Sequence, residues 1–131
     1  MKRTLPILLI LALMLSICGC SQTSVNTDGE VTLVFVYGEK NIRTELTAEE
    51  TARVLAILNE KPYDPLFSGI PSCGFDSDIS LMVGNRTYAI ACDTCNTIQD
   101  MGCMRYFQVP REDIAYIHDL FQKYGGSFPC I

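Results

Sequence analysis

The sequence predicts an α+β domain: one antiparallel sheet of about five strands with two amphipathic helices on one face. Three observations carry this. Residues 31–37 (VTLVFVY) form a β-branched and aromatic run, and an alternating segment follows at once. Two stretches, 47–60 and 110–124, set apolar residues at helical spacing behind a start signal. Two more strand-length runs, 79–83 and 87–92, are separated by Gly84-Asn85-Arg86.

The run at 31–37 is apolar on both faces apart from Thr32, which predicts a strand inside the sheet. Gly38-Glu39-Lys40-Asn41 reads as a turn. Residues 42–46 put Ile42, Thr44 and Leu46 on one face and Arg43 and Glu45 on the other, as a half-exposed strand does. Thr47-Ala48-Glu49-Glu50 is a capping-box pattern, and Thr51, Val54, Leu55 and Leu58 continue at i, i+3, i+4, i+7. Pro62 and Pro65 end that helix, and residues 61–78 read as a long loop. The runs at 79–83 and 87–92 form a hairpin. Residues 93–104 read as an irregular loop and 105–109 as a short strand. Pro110 suits the first turn of a helix, Ile114, Ile117, Leu120, Phe121 and Tyr124 share a face, and Gly125-Gly126 stops it. The order hairpin then helix occurs twice, which points to a duplicated unit.

The chain has 131 residues with a formal charge of −5, no tryptophan, one histidine and seven cysteines. Its hydrophobic share of 48% is too high for a disordered chain. The acidic balance argues against nucleic acid as a partner, because phosphate binding needs a surplus of Lys and Arg.

Residues 1–20 read MKRTLPILLILALMLSICGC. Lys2 and Arg3 precede a thirteen-residue run at 5–17, apolar but for Pro6 and Ser16. It is shorter than the ~20 residues of a spanning helix and fits a secretory signal. Ile17-Cys18-Gly19-Cys20 resembles the lipobox of bacterial lipoprotein precursors. That resemblance implies cleavage after Gly19, acylation of Cys20, and a place on the extracytoplasmic face of the cell membrane. Acyl chains contribute about 0.8 kcal/mol per buried CH₂, so two or three hold a small domain firmly. Losing Lys2 and Arg3 takes the charge to −7. Residues 20–30 then read as the lipidated cysteine and a polar tether, from which an acidic domain would stand off an anionic bilayer.

Five cysteines remain: Cys73, Cys92, Cys95, Cys103 and Cys130. Three chemistries fit them. Structural disulfides suit an exported domain with a modest core, and five cysteines form at most two bridges. A metal site, zinc or copper(I), could use the Cys92-Asp93-Thr94-Cys95 knuckle with ligands from Cys73, Cys103 and Cys130. Thiol–disulfide exchange at Cys92 and Cys95 would need a helix behind the motif, and residues 96–102 make a poor one. The segments Cys73-Gly74-Phe75, 91–95 and 123–130 resemble domains of lipoproteins from Gram-positive, clostridial-type bacteria. That resemblance implies a cell type and no function.

His118 falls at the rim of the second helix's stripe, as a partly buried surface histidine or as a ligand joining the cysteines. Asp76-Ser77-Asp78 is too incomplete for a calcium loop and reads as a solvated turn. No serine-nucleophile motif or glycine-rich phosphate loop occurs, so no enzyme and no cofactor is expected. The expected role is a membrane-anchored, non-enzymatic binding or accessory module of the cell envelope. Its partner would be an envelope protein meeting residues 61–78 and 93–104. The alternative is a metal-binding or thiol-redox lipoprotein acting through Cys92 and Cys95. A lipid-anchored inhibitor of an envelope enzyme rests on fold analogy alone.

Overall fold

The computed structural model describes residues 22–65 and 74–129. The expected leader and lipobox, with Cys18, Cys20, Cys73 and Cys130, lie outside them, as does part of the loop expected at 61–78. The described chain forms β1 (Val31–Tyr37), β2 (Lys40–Glu45), α1 (Ala48–Leu58), β3 (Tyr63–Asp64), β4 (Ile79–Val83), β5 (Arg86–Ile90), β6 (Thr97–Asp100), β7 (Arg105–Gln108) and α2 (Arg111–Lys123). The strands make one antiparallel sheet in the order β2-β1-β4-β5-β6-β7-β3.

The α+β class with one antiparallel sheet and two helices is as expected. The strand count is seven, not about five. The two extra strands, β3 and β6, lie inside the segments expected to be loops, 61–78 and 93–104. β6 has one aliphatic residue, Ile98, and becomes a strand by pairing on both sides: Ile90 opposes Ile98, and Ile98 opposes Phe107. β3 is two residues long and exists only through its pairing with β7.

The register sorts the side chains. Val31, Leu33 and Phe35 share a face with Ile79, Leu81, Val83, Tyr88, Ile90, Ile98, Phe107 and Tyr63. All are buried, and the helices cover this face. α1 contributes Val54, Ile57 and Leu58; α2 contributes Ile114, Ile117, Leu120 and Phe121. The ring of Phe121 meets that of Phe35 edge-on at 6.3 Å. Gly126 lets the chain after α2 turn down here, since a Cβ would sit 3.1 Å from the Phe35 ring.

α1 starts as its sequence requires. Thr47 Oγ1 accepts from the Glu50 main-chain N–H at 3.2 Å, and Glu50 Oε2 accepts from the Thr47 N–H at 3.0 Å. Glu50 also ties the helices together, because Lys123 and Tyr124 from the end of α2 both donate to it. The Lys123 ammonium, then the Tyr124 and Thr47 hydrogen bonds, hold its carboxyl down at about 2. Arg53 of α1 reaches Asp113 of α2 at 3.5 Å and lies over the Tyr116 ring at 5.3 Å.

Residues 22–30 depart most from expectation. Read as a flexible tether, they are a strap packed along the loop after α1. Val25 is fully buried; its N–H donates to Lys61 O, and its carbonyl accepts from the Glu60 N–H. Ser24 bridges Pro62, and the Tyr63 N–H donates to Thr23 O. The Asn59 side chain donates to Thr27 O and accepts from the Thr27 N–H. One apolar residue and the unpaired backbone of the 59–63 loop suffice to dock the segment, a combination that hydrophobic periodicity does not register.

Candidate functional site

The antiparallel sheet has two ends, and they carry different chemistry. At one end lie the start of β1, the β4–β5 turn, the β6–β7 turn and the strap. At the other lie the β1–β2 turn, the start of β4, the segment after β5 and the tail after α2.

The strap end closes around a buried carboxylate. Asp100 is fully buried. Arg86, on the adjacent strand, donates to its Oδ2 at 2.5 Å, and the Tyr63 hydroxyl donates to the same oxygen at 2.7 Å. Its Oδ1 accepts from the Gly102 N–H at 3.0 Å. Burial, then the Asp100 hydrogen bond, pushes the Tyr63 hydroxyl well above its ordinary value, so it stays protonated and donating. Arg105 stacks over the Tyr63 ring at 4.6 Å. Both arginines hold the strap: Arg105 donates to Gln22 O at 2.8 Å and Arg86 to Asn26 O at 3.0 Å. Both Asp100 oxygens are engaged, and the cluster ties β3, β5, β6 and the strap together. Cys103, in the β6–β7 turn, lies beside the Tyr63 hydroxyl.

The same end carries a groove of about 500 Å³ at the β2 edge. Leu46, Ala48, Ala52 and Leu55 line it, and Asp28, Glu30 and Glu45 stand at its rim.

The other end holds Cys92 and Cys95. Cys92 follows β5 and lines a cavity of about 380 Å³ with Tyr37, Gly74, Asp76, Ile79, Ile90 and Pro129. Its Sγ lies 3.9 Å from Gly74 O. Burial, more than the nearby Asp93 and Asp76 carboxylates, pushes the Cys92 thiol up. That works against the thiolate which thiol exchange requires. Asp93 Oδ1 accepts from the Cys95 N–H at 2.9 Å, so the Cys92–Cys95 segment is a tight turn; the chain enters β6 at Thr97 without a helix. A redox motif of the helix-opening kind is therefore absent here.

The sequence grouped five cysteines; the fold separates them. Cys92 lies four residues beyond Tyr88 on β5, and Tyr88 pairs Asp100 just before the turn with Cys103. At about 3.3 Å per residue that is well over 10 Å, beyond the ~7 Å Cα limit for a disulfide. The same distance keeps Cys103 from sharing a ligand set with Cys92. Among the described residues no three His, Cys, Asp or Glu side chains converge as ligands. Cys73 and Cys130 lie outside the described residues, but their sequence neighbours Gly74 and Pro129 both line the Cys92 cavity.

His118 is the partly buried rim residue that helical spacing predicts. Its ring stacks on Phe128 at 4.2 Å, and Phe128 in turn meets Phe121 at 5.2 Å. Nε2 is buried with no hydrogen-bond partner among the described residues. Burial lowers the imidazole below its ordinary value, against a smaller upward pull from Asp119 and Asp93. The histidine thus pins the tail. Asp76-Ser77-Asp78 is the solvated turn expected, with the Asp78 N–H donating to Asp76 Oδ1 at 2.9 Å.

Reasoning from sequence missed the Arg86–Asp100–Tyr63 cluster and the cavity at Cys92. The signal for the first was faint: a carboxylate two residues after Ile98, in a segment without charge runs. No described helix is long and apolar enough to cross a membrane. No family model, curated protein or solved structure matches the chain.

Proposed function

We propose that this protein is a lipid-anchored module on the extracytoplasmic face of the cell membrane, acting by binding an envelope partner and not by catalysis. The observation that carries this reading is Ile17-Cys18-Gly19-Cys20 after a thirteen-residue, mainly apolar run, followed within two residues by the start of a folded domain. The anchor is acyl chain on Cys20. The end of the sheet bearing Cys92 is the candidate partner site, because its cavity joins a polar rim at Asp76 to an exposed tyrosine, Tyr37.

The cysteines staple that end in this reading. Gly74 and Pro129, the sequence neighbours of Cys73 and Cys130, line the cavity of Cys92. Bridges drawn from Cys73, Cys92, Cys95 and Cys130 would tie the long loop and the tail to the sheet. The second reading, metal or thiol exchange at Cys92 and Cys95, loses support from the raised Cys92 thiol and the turn behind it. The repeated hairpin–helix order, β1–β2–α1 and β6–β7–α2, is in keeping with a duplication.

Intact mass spectrometry of the protein extracted from membranes tests the reading. The expected species lacks residues 1–19, carries diacylglycerol at Cys20, and yields bridged peptides that contain Cys92 or Cys95. Cys20→Ser moves the protein out of the membrane fraction. A native mass with a stoichiometric metal ion and alkylatable Cys92 and Cys95 overturns the stapled module in favour of the second reading.

A further inference from the structure

The strap fixes where the proposed anchor leaves the domain, and we infer that the protein lies on the bilayer with its β6–β7 turn toward the lipid. The inference rests on the anchor reading above. Gln22 is clamped: Arg105 holds its carbonyl at 2.8 Å, and Arg86 approaches its side-chain oxygen at 3.5 Å. Thr23, Ser24 and Val25 are bonded to residues 61–63. Only Ser21 separates Gln22 from Cys20. Two Cα steps span at most about 7 Å. A thioether on Cys20 must sit in the headgroup layer, itself roughly 5–7 Å thick per leaflet. A domain on so short a lead cannot stand clear of the bilayer, and the surface around Gln22 must touch it.

That surface suits the contact. Met104 stands in the β6–β7 turn, next to Arg105, in the left-handed region at φ 53° and 57% exposed. Among the described residues only Tyr37, at the opposite end, is a comparably exposed large hydrophobic group. Arg86 and Arg105, which hold the strap, stand on this side. The carboxylates of Asp28, Glu30 and Glu45 line the groove at the β2 edge of the same end. Of these only Glu45 is on β2, five strands from β7 and about 24 Å away at the usual spacing; Asp28 and Glu30 belong to the strap, beside the β4–β5 turn. The cavity at Cys92 faces away from the lipid, toward a partner.

The chain has no tryptophan, so one introduced indole reports its own position. The test uses the full chain, exported and lipidated in bacterial cells, extracted and reconstituted into phosphatidylcholine–phosphatidylglycerol vesicles with brominated acyl chains. Three variants are compared: Met104→Trp, Thr23→Trp on the exposed face of the strap, and Tyr37→Trp at the far end. Bromine should quench the first two several-fold more strongly than the third. Vesicle-bound, lipid-bearing protein in which all three are quenched alike overturns the orientation and leaves the anchor intact. A chain without lipid mass at Cys20 that does not float with vesicles overturns both.

Discussion

The two ends of the sheet solve the same problem in different currencies. At each, strands finish and a loose segment must be tied down. The strap end does it with polar groups: a buried carboxylate, two arginines, a phenol and a run of main-chain hydrogen bonds. The cysteine end does it with rings, Phe121 on Phe128 on His118, to which the proposed bridges would add. The difference teaches where the fold tolerates change. A polar lock depends on every partner being present, because one lost leaves a buried charge uncompensated. A stacked end can lose one contact and keep the rest.

Asp100→Ala breaks the strap end most deeply. It leaves Arg86 without its carboxylate, the Tyr63 hydroxyl without its acceptor and the Gly102 N–H unpaired. The expected cost is about 3–5 kcal/mol, measured by urea unfolding. Asp100→Asn keeps the shape and should cost less. A loss below about 1 kcal/mol for the alanine variant would make the two ends equivalent, and the comparison would fail.

Reduction tests the other end. If bridges tie the loop and tail to Cys92 and Cys95, a reductant should cost about 2–4 kcal/mol. Faster amide exchange should be confined to residues 74–79, 90–96 and 124–129, with the strap end unchanged. An unmoved melting temperature would remove the staple from the account.

How much of this was legible depends on whether a signal is local. The β1–β2 hairpin, the Thr47–Glu50 box of α1 and the apolar stripe of α2 are each written within a few turns of chain, and the sequence predicts each within a few residues. β6 is not, because Thr97, Gln99 and Asp100 are polar residues buried only by strands on both sides. Nor is the Arg86–Asp100 pair, fourteen residues apart and made neighbours by register. The cysteines show the same limit: spacing identified five candidates, but only the register shows that Cys103 stands apart from Cys92 and Cys95. Residues 22–30 look like a tether because docking rests on one valine and on backbone groups, which have no sequence signature.

Val25→Ala therefore sharpens the comparison at the strap itself. It removes two buried methyl groups, a loss of about 2 kcal/mol in unfolding. More telling, it should open the strap before the domain unfolds, because the hydrogen bonds to residues 60–63 lie near the surface. Limited proteolysis should then cut within residues 22–30 well below the melting temperature. Cleavage no faster than in the parent chain would mean that the arginine contacts alone hold the strap.

The smallest effect belongs to the cysteine end and depends on pH. His118 has Nε2 buried without a partner, and burial lowers the imidazole below 6.5. The unfolded chain then binds the proton more readily than the folded one. Stability should be full above pH 6.5 and fall as pH drops through it. The nearby carboxylates Asp93 and Asp119 soften the loss without reversing it. His118→Phe keeps the stack on Phe128, relieves the unpaired nitrogen, and should gain about 1 kcal/mol at neutral pH. It should also flatten the melting profile between pH 7 and 5. Glu50 does not confuse the reading. Its depressed carboxyl contributes stability that is present above its ordinary 4.5 and lost as pH falls toward about 2. The two windows separate, so thermal melts from pH 7 to 5 report the histidine and melts below pH 4.5 report the helix pair. A variant whose profile between pH 7 and 5 still slopes like the parent's would place the acid sensitivity outside the ring stack, and with it the claim that His118 pins the tail.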